Sequence, residues 1–156
     1  MAISEPNLVD LASVPAVAVR LVGDMDLLDV GALFGEYSGV VMGNAPAPTA
    51  PIYARYWAFG PDRYDIEIGI PCPTDLPPLA IGGAPGSTTL PAGRAATATL
   101  TGHYQALGGV YDRLVAFTDA NGLERADGPW ESYDDDPGSV PVDETRTTVF
   151  WPLADA

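Results

Sequence analysis

The residue types that most often carry catalysis or metal binding are scarce in this sequence. His103 is the single histidine and Cys72 the single cysteine among 156 residues. With one cysteine no intrachain disulfide can form. Because the histidine and the cysteine lie far apart along the chain, we also expect no metal site. The Gly-x-Ser-x-Gly turn of Ser-His-Asp hydrolases does not occur, which argues against that class. We therefore predict no metal and no cofactor.

Carboxylates and aromatic rings are the groups left for chemistry. Residues 130–133, Trp-Glu-Ser-Tyr, are predicted to form a strand, whose alternation would put Glu131 and Tyr133 on one face. Trp57 and Phe59 share a face of another predicted strand in the same way. Aromatic rings bind flat ligands by stacking and cations by their ring faces. Taken alone, however, Glu131 is better explained as a surface glutamate on an edge strand.

The charge balance excludes several classes of partner. Seven arginines and lysines stand against 21 acidic residues, which gives a net charge of −14. The chain has no lysine and its arginines are scattered, whereas nucleic-acid binding needs clustered cations. We therefore expect no nucleic-acid partner and no membrane partner. The negative field favours cationic ligands, or it serves only to keep the protein soluble.

The N-terminal region carries neither a signal peptide nor a long apolar run, so the expected compartment is the cytoplasm. Residues 1–13 are predicted to be a short lead-in, and residues 15–22 a buried strand. Apolar side chains at three- and four-residue spacing predict a helix over 25–42. Asp24 or Asp26 would cap its first turn.

A β-hairpin is the clearest local prediction. Residues 52–59 and 63–70 are strand-like runs that flank Gly60-Pro61-Asp62. Residues 71–86 are rich in proline and glycine and are expected to connect two halves of the chain. The second half is predicted to contain a strand, a helix and two strands, at 94–101, 104–120, 129–133 and 145–151.

This order predicts an α+β fold made of two β-α-β-β units. Their strands would form one antiparallel sheet with two helices on one face and a central ligand groove between the halves. We expect one domain over 1–156, with pseudo-repeat halves at about 14–71 and 87–153. The sequence leaves open whether the protein is a monomer or a homodimer.

Five short segments of the sequence carry a recognisable pattern: 65–71 (DIEIGIP), 90–96 (LPAGRAA), 102–104 (GHY), 130–133 (WESY) and 147–153 (TTVFWPL). Together they resemble the GyrI-like small-molecule-binding domain family. The match extends over about residues 15–153, and its specificity comes from the order and spacing of the segments. In that family the domain forms the effector-binding half of several multidrug-responsive transcription regulators. Those regulators carry a DNA-binding helix-turn-helix, for which no room is expected before Pro15.

The resemblance implies that Glu131 lies at the base of an aromatic pocket and meets cationic or polarised ligands. Burial among aromatic rings would raise the pKa of such a carboxyl group unless a cation compensates. Aromatic side chains from both halves would then enclose the ligand. We predict that they are Tyr37, Trp57, Phe59, Tyr104, Tyr111, Trp130 and Tyr133.

Three functions are compatible with the resemblance. The first is sequestration of a lipophilic drug or toxic natural product, either cationic or neutral, which would confer resistance. The second is a cofactor-independent hydrolase that opens strained, cyclopropane-bearing DNA-alkylating compounds. There Glu131 would activate water, and Tyr104 or Tyr111 would donate a hydrogen bond to the ligand carbonyl. The third is a protein inhibitor of DNA gyrase.

Overall fold

The structure is a computed structural model, and residues 2–135 and 138–154 are described. The described residues form nine strands and two α-helices, which confirms the α+β class. In chain order these elements are β1 (Ala2–Ile3), β2 (Asn7–Leu11), β3 (Val14–Asp24), α1 (Val30–Gly43), β4 (Tyr53–Phe59), β5 (Arg63–Pro71), β6 (Gly86–Leu90), β7 (Gly93–Thr101), α2 (Leu107–Ala120), β8 (Trp130–Tyr133) and β9 (Arg146–Pro152).

The chain divides into two compact units. The central unit is Ser13–Pro91, and the terminal unit is the described part of Met1–Ala12 and Ala92–Ala156. Each unit contains the predicted strand, helix, strand, strand order. All strand pairings within each unit are antiparallel. The ligand groove between the halves stays a prediction.

In the central unit the strand order is β4-β5-β3-β6. β3 pairs with a strand on each edge and is buried without interruption from Ala16 to Val19. Because successive side chains point to opposite faces of a strand, both faces of this stretch are covered. Ile66, Ile68 and Ile70 of β5 join its core, and α1 packs against this cluster through residues such as Phe34. The predicted hairpin and its apolar face are therefore confirmed.

In the terminal unit β1 and β2 both pair with β7, and the order continues from β7 through β9 to β8. The apolar stripe of α2 packs on the same sheet, since Val110 and Leu114 form one buried cluster with Leu100 and Val149. No helix among the described residues is long and apolar enough to cross a bilayer.

Two local predictions are wrong, and one strand was not predicted. Residues 1–13 were expected to be a lead-in, but Asn7–Leu11 forms β2 by pairing with β7, a partner that is distant in sequence. The strand β6 was not predicted, because its Ser-Thr-rich segment lacks an apolar face. The helix α1 begins at Val30, and its cap is Asp29, whose Oδ1 accepts a hydrogen bond from the Ala32 amide at 3.0 Å. Asp24 instead ends β3 before a single 3₁₀ turn.

Candidate functional site

Each unit contains one buried glutamate that accepts hydrogen bonds from aromatic side chains. We call them the Glu131 cluster, made of Glu131, Tyr104, Tyr111 and Tyr133 in the terminal unit, and the Glu67 cluster, made of Glu67, Tyr53, Arg55 and Trp57 in the central unit.

Glu131 is only 5% exposed, although it lies on the short strand β8. The Tyr111 hydroxyl donates to Oε2 at 2.8 Å, and the Tyr133 hydroxyl donates to Oε1 at 2.7 Å. Both carboxylate oxygens therefore accept a hydrogen bond from a phenol. Such bonds stabilise the ionised form of a carboxylate and fix its orientation.

The local fold explains how these phenols reach Glu131. Tyr133 follows Glu131 by two residues on β8, so strand alternation places both side chains on one face. Tyr111 lies on α2 one position after Val110, which anchors the helix in the core of the terminal unit. The Tyr111 ring also meets Trp151 of β9 edge-to-face, with ring centroids 5.7 Å apart.

Tyr104 forms the outer part of the Glu131 cluster. It begins the 3₁₀ turn before α2 and is 40% exposed. Its ring meets Tyr133 edge-to-face at 5.9 Å. Partial burial, and to a smaller extent the charge of Asp135, raise the pKa of Tyr104, so its hydroxyl keeps its proton at neutral pH. His103 caps this turn, since its Nδ1 accepts from the Gln105 amide at 3.1 Å.

The Glu67 cluster is more deeply buried. Glu67 is 2% exposed; Tyr53 donates to its Oε2 at 2.5 Å, and the Trp57 indole donates to its Oε1 at 3.2 Å. Burial raises the pKa of Tyr53 well above its ordinary value, and the charge of Glu67 adds to the effect. The Tyr53 phenol is therefore a permanent donor at neutral pH.

Two backbone features of the β4–β5 hairpin set this geometry. Tyr53 pairs with Gly69, and a Cβ at Gly69 would lie only 2.5 Å from the Tyr53 hydroxyl oxygen. A glycine is thus required for the Tyr53 ring to cross β5 toward Glu67. The register shifts between Tyr56 and Ala58, and such irregularities re-aim a side chain, here that of Trp57.

Guanidinium groups contact the Trp57 ring. The Arg55 guanidinium carbon lies 4.0 Å from the ring centroid and that of Arg20 lies 5.1 Å away. Arg20 also donates to both oxygens of Asp65 at 2.8 Å, and these bonds raise its pKa. Burial lowers the pKa of Arg55, which the charge of Glu67 opposes. The Trp57 ring thus already takes part in cation–π contacts within its own unit.

The structure brings together four of the predicted site residues, those of the Glu131 cluster. Trp130 is buried and stacks on Phe150 at 5.5 Å, and alternation along β8 turns it to the face opposite Glu131. Trp57, Phe59 and Tyr37 belong to the central unit. Phe59 lies at the end of β4 and is 57% exposed, while Tyr37 packs against the core from α1.

The Glu67 cluster was not predicted from the sequence. On β5, Asp65 and Glu67 alternate with isoleucines, a pattern that is typical of a strand with one solvent-facing side. The signal that could have found Glu67 is the pairing of two aromatic-rich strands in one short hairpin, because Tyr53 and Trp57 then lie within reach of its side chain.

The comparisons with known proteins agree with this architecture. Residues 4–154 match the sequence profile of the GyrI-like small molecule binding domain. The chain belongs to the GyrI-like family. A GyrI-like chain is a small-molecule-binding domain, so the general function of this chain is to bind a small molecule. No curated protein sequence matches the chain.

Several solved structures share the GyrI-like fold. The EcmrR C-terminal domain has a TM-score of 0.77 at 21% identity, with complete coverage of both chains. SAV2435 bound to tetraphenylphosphonium has a TM-score of 0.71 at 13% identity, covering 97% of this chain and 94% of that one. A hydrolase encoded by lin2189 from Listeria innocua has a TM-score of 0.64 at 13% identity, covering 96% and 92%.

EcmrR has also been solved in a complex with DNA. That chain matches with a TM-score of 0.76 at 19% identity over 97% of the present chain. The present chain spans 57% of the length of that EcmrR chain. The expectations of no nucleic-acid partner and of a cytoplasmic location stay predictions.

Proposed function

We propose that the Glu131 cluster binds a lipophilic, aromatic cation and that the domain sequesters this compound, which lowers its free concentration. The observation that carries the proposal is a glutamate with 5% exposure, both of whose carboxylate oxygens accept phenol hydrogen bonds. The rings of Tyr104 and Tyr133 lie beside it in an edge-to-face pair.

This arrangement favours ligands that carry a positive charge and are weakly hydrated. A cation that enters a low-dielectric site near a fixed carboxylate gains far more Coulomb energy than it would in water. An organic cation, whose charge is spread over a large apolar surface, loses less hydration on entry than a small ion does. Aromatic ring faces attract the same cation. The net charge of −14 adds a long-range attraction.

Tetraphenylphosphonium is the natural probe, because the structure of SAV2435, which has the same fold, contains it. Calorimetric titration of the whole chain should show binding of tetraphenylphosphonium and much weaker binding of tetraphenylborate, which has similar size and shape but the opposite charge. Glu131→Gln should weaken tetraphenylphosphonium binding by about tenfold or more, equivalent to about 1.4 kcal/mol.

Glu36→Gln is the matched control for this experiment. Glu36 is exposed on α1, so its replacement removes the same unit of net charge without changing the cluster. It should leave the affinity within about twofold, since exposed charges are strongly screened. Equal losses for Glu131→Gln and Glu36→Gln, or equal affinity for the two probes, would show that the proposal is wrong.

A second candidate is hydrolysis of a strained-ring alkylating compound, favoured by a positioned carboxylate beside phenol donors. Glu131 would take a proton from water as the water oxygen bonds to the strained ring carbon; the ring bond breaks, and its electron pair passes to a conjugated carbonyl. Because the Tyr111 proton is already donated to Glu131, the donor to that carbonyl would be Tyr104.

Turnover separates the two candidates. The protein is incubated at substoichiometric concentration with a cyclopropane-bearing alkylator, and products are followed by mass spectrometry. Conversion of many equivalents that is lost in Glu131→Gln supports the hydrolase. Saturation at one equivalent with intact ligand supports sequestration.

A further inference from the structure

One buried hydroxyl close to the Glu131 cluster finds no hydrogen-bond partner in the described part of the chain. Within residues 2–135 and 138–154, Thr147 Oγ1 is the buried side-chain polar atom for which no partner is found. Thr147 is fully buried. A buried polar group that is left unsatisfied costs free energy, which valine, of nearly the same shape, would avoid. Its presence therefore calls for a physical explanation.

The register of the sheet places this hydroxyl beside the cluster. Thr147 of β9 lies directly opposite Tyr133 of β8, and Val149 lies opposite Glu131. Opposed residues share one face of a sheet, so Thr147 is on the same face as Tyr133 and Glu131. On the other side, Thr147 pairs with Leu100 of β7, which belongs to the apolar core under α2.

Other buried threonines of the terminal unit are satisfied. Thr97 Oγ1 donates to the Val149 carbonyl at 2.8 Å, and Thr118 Oγ1 donates to the Leu114 carbonyl at 2.8 Å. On the opposite face of β9, Thr148 Oγ1 donates to Asp134 at 2.6 Å. The fold therefore supplies acceptors to comparable hydroxyls, and Thr147 differs from them in position rather than in residue type.

We propose that Thr147 Oγ1 is a hydrogen-bonding subsite of the Glu131 cluster, so that the ligand carries a neutral polar group, a hydroxyl or a carbonyl, in addition to its positive charge. Thr147 and Glu131 are diagonal neighbours on adjacent strands, and the Cα atoms of such neighbours lie about 7–8 Å apart. The ligand then presents its charge and its polar group at a similar separation. This inference rests on the proposed function, because it extends the same site.

The ligand reaches Thr147 by displacing the outer ring of the cluster. Tyr104 contacts Tyr133, the residue opposite Thr147, and it is the exposed ring of the cluster, at 40%. It lies in a 3₁₀ turn rather than in a helix or a strand, so its side chain can move while β8 and β9 stay paired.

The test combines one substitution with four matched probes, which are tetraphenylphosphonium and the ortho, meta and para isomers of (hydroxyphenyl)triphenylphosphonium. In the wild-type chain at least one isomer should bind more tightly than tetraphenylphosphonium. Thr147→Val should weaken that isomer by about three- to tenfold. It should leave tetraphenylphosphonium within about twofold. A loss of equal size for all four probes, or no loss for any, overturns the inference.

Unfolding gives a second, ligand-free readout. Thr147→Val should leave the urea midpoint unchanged or raise it, because it removes an unsatisfied hydroxyl. Thr97→Val is the matched control: it breaks a hydrogen bond to a carbonyl, so it should lower the midpoint without discriminating between the probes. A Thr147→Val midpoint as low as that of Thr97→Val contradicts the assignment of an unpartnered hydroxyl.

Different results would overturn cation binding at the Glu131 cluster and the Thr147 subsite. If tetraphenylphosphonium binds and Glu131→Gln weakens it, but Thr147→Val does not discriminate between the probes, only the subsite is wrong. If Glu131→Gln does not affect tetraphenylphosphonium binding, or none of the probes binds, the proposed function fails and the subsite fails with it.

Discussion

The Glu67 and Glu131 clusters use the same chemistry, a buried glutamate with one aromatic donor on each carboxylate oxygen, yet they differ in where the donors come from. Both donors to Glu67 lie on β4, the strand paired with its own. The donors to Glu131 come from a helix and from the same short strand.

This difference separates a closed, structural cluster from the cluster that we propose as the binding site. Tyr53 is 1% exposed and is fixed by its passage across Gly69, so the Glu67 cluster is closed and its geometry follows from the pairing of two strands. In the Glu131 cluster Tyr111 and Tyr133 are half-buried, and Tyr104 reaches solvent. A ligand can displace partly exposed rings at a helix start more easily than rings locked inside a hairpin.

The largest expected effect is on stability at Glu67. Glu67→Gln removes the charge of a buried, fully hydrogen-bonded carboxylate, so it should lower the free energy of unfolding by about 3–5 kcal/mol. Glu131→Gln, in the more open cluster, should cost no more than about 1 kcal/mol. Urea denaturation of both variants at pH 7 measures the difference. Equal losses would remove the distinction between the clusters.

Gly69→Ala tests whether the hairpin alone positions Tyr53. The added Cβ would collide with the Tyr53 ring, and such overpacking should cost about 1–3 kcal/mol. The control is Gly39→Ala on α1, where a Cβ would meet no atom of the described residues within 4 Å. That change should stabilise the protein by about 0.5–1 kcal/mol, the helix propensity difference between glycine and alanine. Denaturation midpoints of the two variants should therefore move in opposite directions.

Alkaline pH should reduce the stability that the Glu67 cluster contributes more than the stability that the Glu131 cluster contributes. The pKa of Tyr53 is raised in the folded state. The stability that this residue contributes is therefore fully present below the unfolded-state pKa of about 10. It is lost as the pH rises toward the folded pKa, by up to about 1.4 kcal/mol per pH unit.

Tyr53→Phe should make the decline in stability above pH 10 shallower, and Tyr104→Phe should do so less, because Tyr104 is partly exposed. Thermal unfolding followed by circular dichroism at several alkaline pH values measures both slopes. A slope that Tyr53→Phe leaves unchanged would contradict the raised pKa.

The smallest effect is expected within the Glu131 cluster itself. Tyr111→Phe removes one hydrogen bond to Glu131 and should lower the free energy of unfolding by about 1 kcal/mol. Tyr133→Phe removes the other bond and should cost about the same. A loss above 3 kcal/mol for either variant would mean that this cluster is as rigid as the one around Glu67.

Local sequence patterns predicted the elements well. Alternating Tyr64, Ile66, Ile68 and Ile70, followed and preceded by turn residues, identify β5 and its buried face, and the stripe through Val110 and Leu114 identifies α2. These predictions succeed because periodicity depends on contacts within a few residues. The prediction failed at β2, because β2 pairs with a strand that is distant in the chain: Asn7, for example, lies opposite Thr97 of β7.

The sequence by itself therefore determined the α+β class, the order of the elements and, through the family resemblance, the choice of Glu131. Only the tertiary structure decided that Glu67 and Glu131 are both buried and that the Thr147 hydroxyl finds no partner among the described residues. The reason is physical. Alternation along a strand tells which side chains share a face, but what covers that face depends on segments that are distant in the chain.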